Sequence, residues 1–143
     1  SAEIDRLRAI HSRIVLYDCH SIRSRIPRLF EGELPHFNVG TNGGASCAPA
    51  LERLVAEHCA ATPFSSVVNG RFKGGFITRR YGAPARGVHA VQMELACRGY
   101  MDEPAAPSPE TWPTPYRPER AAPMRAALAR LLEAVLDWAR RAP

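Results

Sequence analysis

Short apolar runs alternate with stretches of helical periodicity along this chain, and that alternation constrains its fold more than any other feature. The apolar runs are Ile14 to Tyr17, the start of "FNVGTNGGAS" (Phe37 to Ser46), Ser65 to Val68, and "GVHAVQMEL" (Gly87 to Leu95). Each reads as a short, largely buried strand. Between and around them lie three helical patterns. Ala2 to about His11 puts Ile4, Leu7, Ile10 and His11 on one face. Pro49 to Ala60 starts on a proline suited to a first helical turn and carries Leu51, Leu54, Val55 and Cys59 as a stripe. Glu119 to Arg141 supplies Met124, Leu128, Leu131, Leu132, Val135, Leu136 and Trp138, with Pro123 tolerable only near the helix start. Helices alternating with strands predict an α/β sheet covered by helices. In such sheets, ligands collect at the carboxyl ends of the strands.

The remaining segments are irregular. Ser21 to Pro35 has no clear period, and the glycines of "NGRFKGGFITRRYG" (Asn69 to Gly82) forbid a regular element over its first half. A proline-rich stretch, Pro104 to Pro118, is long for an internal loop, and such loops often border sites. There is no internal repeat, so residues 1–143 read as a single domain, large enough for a real core. No apolar run approaches the ~20 residues of a membrane helix, and "SAEIDRLRAIHS" has no signal-peptide pattern. The expectation is a cytoplasmic protein with no membrane partner. The net charge of +5 raises nucleic acid as a partner. The basic residues, however, are scattered arginines with a single lysine, Lys73, and no basic arm, so no nucleic-acid partner is expected. Cys19, Cys47, Cys59 and Cys97 show no CxxC spacing. Cys59 and Cys97 read as packing residues, and Cys19 and Cys47 as walls of a site.

Two residues stand out chemically. His20 follows the Ile14 to Tyr17 run in "DCHS", a strand-end position common for a metal ligand. Asp18, two residues earlier, lies on the same side of an extended chain and is placed to accept a hydrogen bond from the imidazole. The alternative is a hydrogen-bonded turn. Glu94 interrupts the apolar "AVQMELA". A buried carboxylate is costly unless paired, and burial raises its pKa toward that of a general base. The alternative is a half-exposed strand with Val88, Ala90, Gln92 and Glu94 on the wet side, while His89, Val91, Met93 and Leu95 pack inward. "GTNGGAS" (Gly40 to Ser46) lacks the ending of a phosphate loop. Arg71, Lys73, Arg79, Arg80 and Tyr81 either bind a carboxylate or form a solvated basic surface. The other histidines have no metal spacing, His11 and His58 reading as helix-face residues. Ser21 beside His20 is not a glycine-flanked nucleophile elbow.

Together, "LYDCHSIRSRIPRLFEGELPHFNVGTNGGASC", "NGRFKGGFITRRYG", "VHAVQMELA" and "YMDE" resemble the N-formylglutamate amidohydrolases, or N-formylglutamate deformylases, over nearly the whole chain. That family is related to zinc carboxypeptidases and aspartoacylases. The resemblance implies a mixed-sheet α/β fold of the zinc-exopeptidase-like (phosphorylase/hydrolase-like) kind. It implies a Zn2+-dependent hydrolase of histidine degradation, which converts N-formyl-L-glutamate and water to L-glutamate and formate. By position it implies that His20 is a zinc ligand and Glu94 the general base. Arg79 and Tyr81 would contact the substrate from a mobile loop, and Asn69, Arg71 and Lys73 are further candidates for its carboxylates. Family members are nearly twice as long, and their N-terminal halves bring the other zinc ligands, in segments this chain does not show. The expectation is therefore a counterpart of the C-terminal half, a piece of a longer protein that binds zinc poorly and is inactive alone. A homo-oligomer would cover the surface left bare. Two alternatives remain: a hydrolase of another N-acyl amino acid, and a metal-free fragment with a structural or binding role.

Overall fold

Strand β4 (Val88–Ala96) is the spine of the protein, buried on both faces over nearly its whole length. In the computed structural model, which describes residues 1–141, the elements run in the following order. Helix α1 (Ala2–Arg8) leads into β1 (Ile14–Ile22), and β2 (Phe37–Gly40) into α2 (Pro49–Ala60). Then come β3 (Ser66–Val68), α3 (Phe76–Tyr81), β4 and α4 (Pro118–Arg140). The sheet order is β1-β4-β2-β3. β1 is parallel to β4 and β3 is parallel to β2, while β2 and β4 are antiparallel. The mixed α/β class expected from the alternation is therefore present.

The two faces of the sheet have different fates because side chains alternate along a strand. One face carries Val91, Met93, Phe37 and Val39, which pack with Leu51, Val55 and Cys59 of α2 and Met124, Ala127, Leu131 and Val135 of α4. The other face carries Ile14 and Val88, which form a smaller cluster with Ile4 and, at its margin, Leu7, Leu16 and Tyr81. Farther along both parallel strands this second face turns polar.

Several boundaries differ from the sequence reading. β1 does not stop at Tyr17 but continues through Asp18-Cys19-His20-Ser21 to Ile22. All nine of its residues are in register with β4, and the ladder uses backbone groups, which are indifferent to side-chain polarity. α1 ends at Arg8, leaving His11 beyond the helix and Ile10 65% exposed rather than in the stripe. Only the second half of the glycine-rich segment is regular, as α3. In α4 the buried positions are Ala121, Met124, Ala127, Leu131 and Val135, while Leu132 and Leu136 face outward. The buried stripe includes two alanines and is narrower than the apolar pattern, leaving those two leucines off it. His89 packs inward as expected, its ring edge-on to Trp138 with centroids 4.9 Å apart.

Candidate active site

The parallel register of β1 and β4 sets Asp18 beside Gln92 and His20 beside Glu94. Neighbours in register on adjacent strands share a face, so these four side chains form one polar patch near the carboxyl ends of two parallel strands. β2 extends it, because Asn38 is the antiparallel partner of Glu94.

His20 Nε2 lies 3.0 Å from Asp18 Oδ2, so the carboxylate holds the ring in one orientation. The imidazole is half-exposed while Asp18 is mostly covered. Glu94 is buried, at 7% exposure, which excludes the wet-face alternative. Burial pushes its carboxyl up from the usual range, the nearby His20 pulls it partly back, and Asp18 pushes it further up. A carboxyl disposed to hold a proton, beside an oriented imidazole, is a proton-transfer arrangement. Asn38 braces it from below: its Nδ2 donates to the Glu94 carbonyl (3.1 Å) and to the Pro35 carbonyl (2.8 Å), and its buried Oδ1 has no partner.

Gln92 ties the patch to the glycine-rich segment, since its Oε1 accepts the Gly75 N–H at 2.6 Å. The segment comes so close that a Cβ on Gly40 would sit 2.5 Å from the Gly74 nitrogen, so only glycine fits the end of β2. This contact places Arg79, whose Nη1 donates to the Gly74 carbonyl (2.9 Å), at the margin of the patch with an exposed guanidinium. Arg79 sits on a short helix, not on the loop that was expected.

The other sequence candidates lie outside the patch, three of them with contacts of their own. Tyr81 packs at the margin of the smaller apolar cluster, edge-on to Phe76. Asn69 is a latch: its Oδ1 accepts the N–H groups of Thr41 (2.9 Å) and Gly43 (3.2 Å), and its Nδ2 donates to Thr41 Oγ1 (2.7 Å). Arg71 donates to the Leu29 carbonyl at 2.7 Å, and Lys73 is exposed. Cys47 is buried in the main core, away from the patch, whereas Cys19 is exposed on β1. Asn38 and Gln92 are the neighbours of Glu94 that sequence reasoning did not assign. Their signal was a polar residue inside a buried strand, the same signal that singled out Glu94.

Among the described residues no group of three or more His, Cys, Asp or Glu side chains is placed to hold a metal ion. His20, oriented by Asp18, has the chemistry of one ligand position. The described residues thus fit one corner of a zinc site and do not complete it. No described helix is long and apolar enough to cross a membrane.

Comparison with known proteins bears on what the patch serves. The crystal structure of an N-formylglutamate amidohydrolase from Ralstonia eutropha superposes with a TM-score of 0.78 over 96% of this chain and 48% of that one. At 21% identity this likeness speaks for the fold. Curated N-formylglutamate deformylases from Pseudomonas aeruginosa and Pseudomonas putida are each 53% identical over 139 and 137 residues. This chain spans about half the length of those relatives, 50% and 49%. The family model described as N-formylglutamate amidohydrolase matches residues 1–101, which include the whole polar patch. On these grounds the chain belongs to the N-formylglutamate amidohydrolase family.

Proposed function

We propose that the protein takes part in hydrolysing the formyl amide of N-formyl-L-glutamate, releasing formate and L-glutamate, within a zinc-exopeptidase-like framework. The observation that carries the reading is the buried Glu94 in register with the Asp18-oriented His20. Glu94 removes a proton from the water that adds to the formyl carbon. It then delivers that proton to the nitrogen as the carbon–nitrogen bond breaks. Its raised affinity for protons suits both steps. His20 holds one zinc coordination position, and Asp18 keeps its ring from turning. When bound, zinc would supply an acidified water and polarise the formyl oxygen. A complete catalytic zinc site takes three protein ligands, and the described residues do not bring three together. Arg79, at the margin of the patch, is the best placed of the basic residues from the glycine-rich segment to meet a substrate carboxylate.

Among the described residues β1 pairs with β4 alone, which leaves its outer edge to take a strand from another chain or a second copy. The incomplete ligand set favours a second reading, in which these residues alone form a metal-free binding or structural unit. One experiment separates the two. Formate release from N-formyl-L-glutamate is measured with added Zn2+ for this chain and for a protein of the relatives' full length. Turnover by the longer protein that is abolished by His20→Ala supports hydrolysis. Turnover by neither, with no stoichiometric zinc bound, supports the metal-free reading. N-formyl-L-aspartate in parallel reports the preference for the amino acid that carries the formyl group.

A further inference from the structure

Gln92 sits in the polar patch with one half of its carboxamide committed and the other half free. It is buried, at 5% exposure, on β4, two residues before Glu94 and in register with Asp18. Residues two apart on a strand share a face, so its side chain emerges beside those of Glu94 and Asp18. A backbone N–H can only donate, so the atom that meets the Gly75 N–H at 2.6 Å is the amide oxygen, Oε1. That bond fixes which end of the carboxamide is which. Nε2 keeps two N–H donors and meets no acceptor among the described residues. It is not sealed from solvent either: the side-chain atoms buried without a partner are Tyr17 Oη, Arg23 Nε and Asn38 Oδ1. Polar groups this deep in a strand normally spend their hydrogen bonds on the protein. An oriented donor left unspent, within reach of a ligand, marks a place for an acceptor.

We infer that Gln92 Nε2 is the donor to the formyl oxygen, on which negative charge gathers as water adds. The inference rests on the proposed hydrolysis of an N-formyl amino acid. In that step a lone pair of the water oxygen forms the new bond to the formyl carbon, and the π pair of the carbonyl moves onto its oxygen. The proton lost by the water goes to Glu94. Collapse of the adduct restores the carbonyl as the carbon–nitrogen bond breaks, and Glu94 returns the proton to the nitrogen. The Cα atoms of residues two apart on a strand, here Gln92 and Glu94, are separated by about 6.7 Å. A water on Glu94 and the carbonyl it attacks fit that interval, with a hydrogen bond of about 2.8 Å at each end. The substrate carboxylates lie farther along the molecule, where the exposed Arg79, tied to Gly74, offers the charge they need. A carboxamide remains a donor at every working pH and needs no counter-ion inside the fold. Held by Gly75, it does not have to reorganise as the charge develops, which is the source of such a donor's effect.

Gln92 is the only glutamine of the chain, so isotope labelling of the glutamine side-chain amide gives a single NH2 signal in an NMR spectrum. N-formyl-L-glutamate should move one of its two protons downfield, saturably. L-Glutamate, which has the carboxylates but no formyl oxygen, should leave both in place. Two substitutions in a zinc-loaded protein of the relatives' full length separate the donor from the tie to Gly75. Gln92→Met removes both, whereas Gln92→Glu keeps an oxygen for the Gly75 N–H and removes the donors. Each should lower kcat by about a hundredfold or more, the scale of one lost oxyanion donor, with KM changed little. The inference is overturned if Gln92→Glu turns over at the parent rate, which leaves Gln92 only its tie to Gly75. It is also overturned if both ligands shift the signal alike, or if N-formyl-L-glutamate leaves it unmoved. Deformylation that ignores whichever of the two variants folds keeps the reaction and discards the donor. A formyl-dependent shift without deformylation by the full-length protein keeps the donor and discards the reaction.

Discussion

Glu94 and Asn69 show how differently two polar residues near one site are used. Glu94 is buried on the central strand β4, and its proton affinity is raised chiefly by that burial. A carboxyl with a raised pKa binds its proton more tightly folded than unfolded. Stability therefore declines as pH rises above the ordinary glutamate range, and the full cost is present above the raised value. Glu94→Gln removes that cost. At pH 7 the variant should melt on the order of 2–4 °C higher than the parent, a gain that fades toward pH 4. In a zinc-loaded, full-length protein the same change should lower kcat by at least about a hundredfold, the usual scale of a lost general base. Near-normal turnover would remove Glu94 from the mechanism. Asn69 should behave in the opposite way. It sits at φ +52°, a conformation asparagine tolerates, and its amide secures Thr41 and Gly43. Asn69→Ala loses those bonds and strains the backbone, and should cost about 2–4 kcal/mol in urea unfolding. A stable Asn69→Ala protein with weakened substrate affinity would restore it as a binding residue.

At the scale of elements, helix α4 separates what periodicity reveals from what contact decides. Its hydrophobic positions are visible in the sequence, and Met124, Leu131 and Val135 are buried as expected. Leu132 and Leu136 carry the same apolar signal but are 44% and 49% exposed. A periodic pattern marks a face whose width depends on what the helix packs against, here the sheet and α2. Leu131→Ala should destabilise by about 2–5 kcal/mol, and Leu136→Ala by less than about 0.5 kcal/mol. Chemical denaturation of the two variants side by side measures the contrast, and equal losses would mean that the outer face of α4 is covered in solution. Strand β1 teaches the complementary lesson. Its apolar half was legible, but its polar half was not, because Asp18 to Ser21 are strand only by virtue of the neighbouring β4.

The molecule as a whole carries a second pH dependence, opposite in sign to that of Glu94. His89 is buried against Trp138 and accepts the Ala48 N–H at Nδ1 (3.1 Å), a role open only to the neutral ring. Burial lowers its pKa, and Arg13 lowers it further. His36 is lowered likewise, by burial and then by Arg98. A histidine with a depressed folded pKa contributes its stability fully above the ordinary value near 6.5 and loses it as pH falls through the depressed one. Melting temperature should therefore drop between pH 7 and pH 5, and His89→Gln should reduce that drop by on the order of 3 °C. An identical drop in parent and variant would show that His89 does not sense pH. Because His89 joins β4 to the start of α2 and to Trp138 of α4, its protonation loosens the main core, not the polar patch.

The chain's local chemistry was enough to place most elements. Pro49 and an apolar stripe mark α2 from its first residue to its last, glycines exclude regular structure from 69 to 75, and "AVQMELA" shows a carboxylate inside a strand. These signals are local because capping, φ preference and side-chain periodicity act within a few residues. Resemblance to a known family added roles for His20 and Glu94 that spacing alone left open. What only the tertiary structure decided is which distant residues meet. The register of β1 on β4 sets His20 beside Glu94, the antiparallel β2 brings in Asn38, and the Gly40–Gly74 approach carries Arg79 to the margin. Strand order and register are fixed by burying two faces of one sheet at once, a condition on the whole chain that no short stretch of sequence contains.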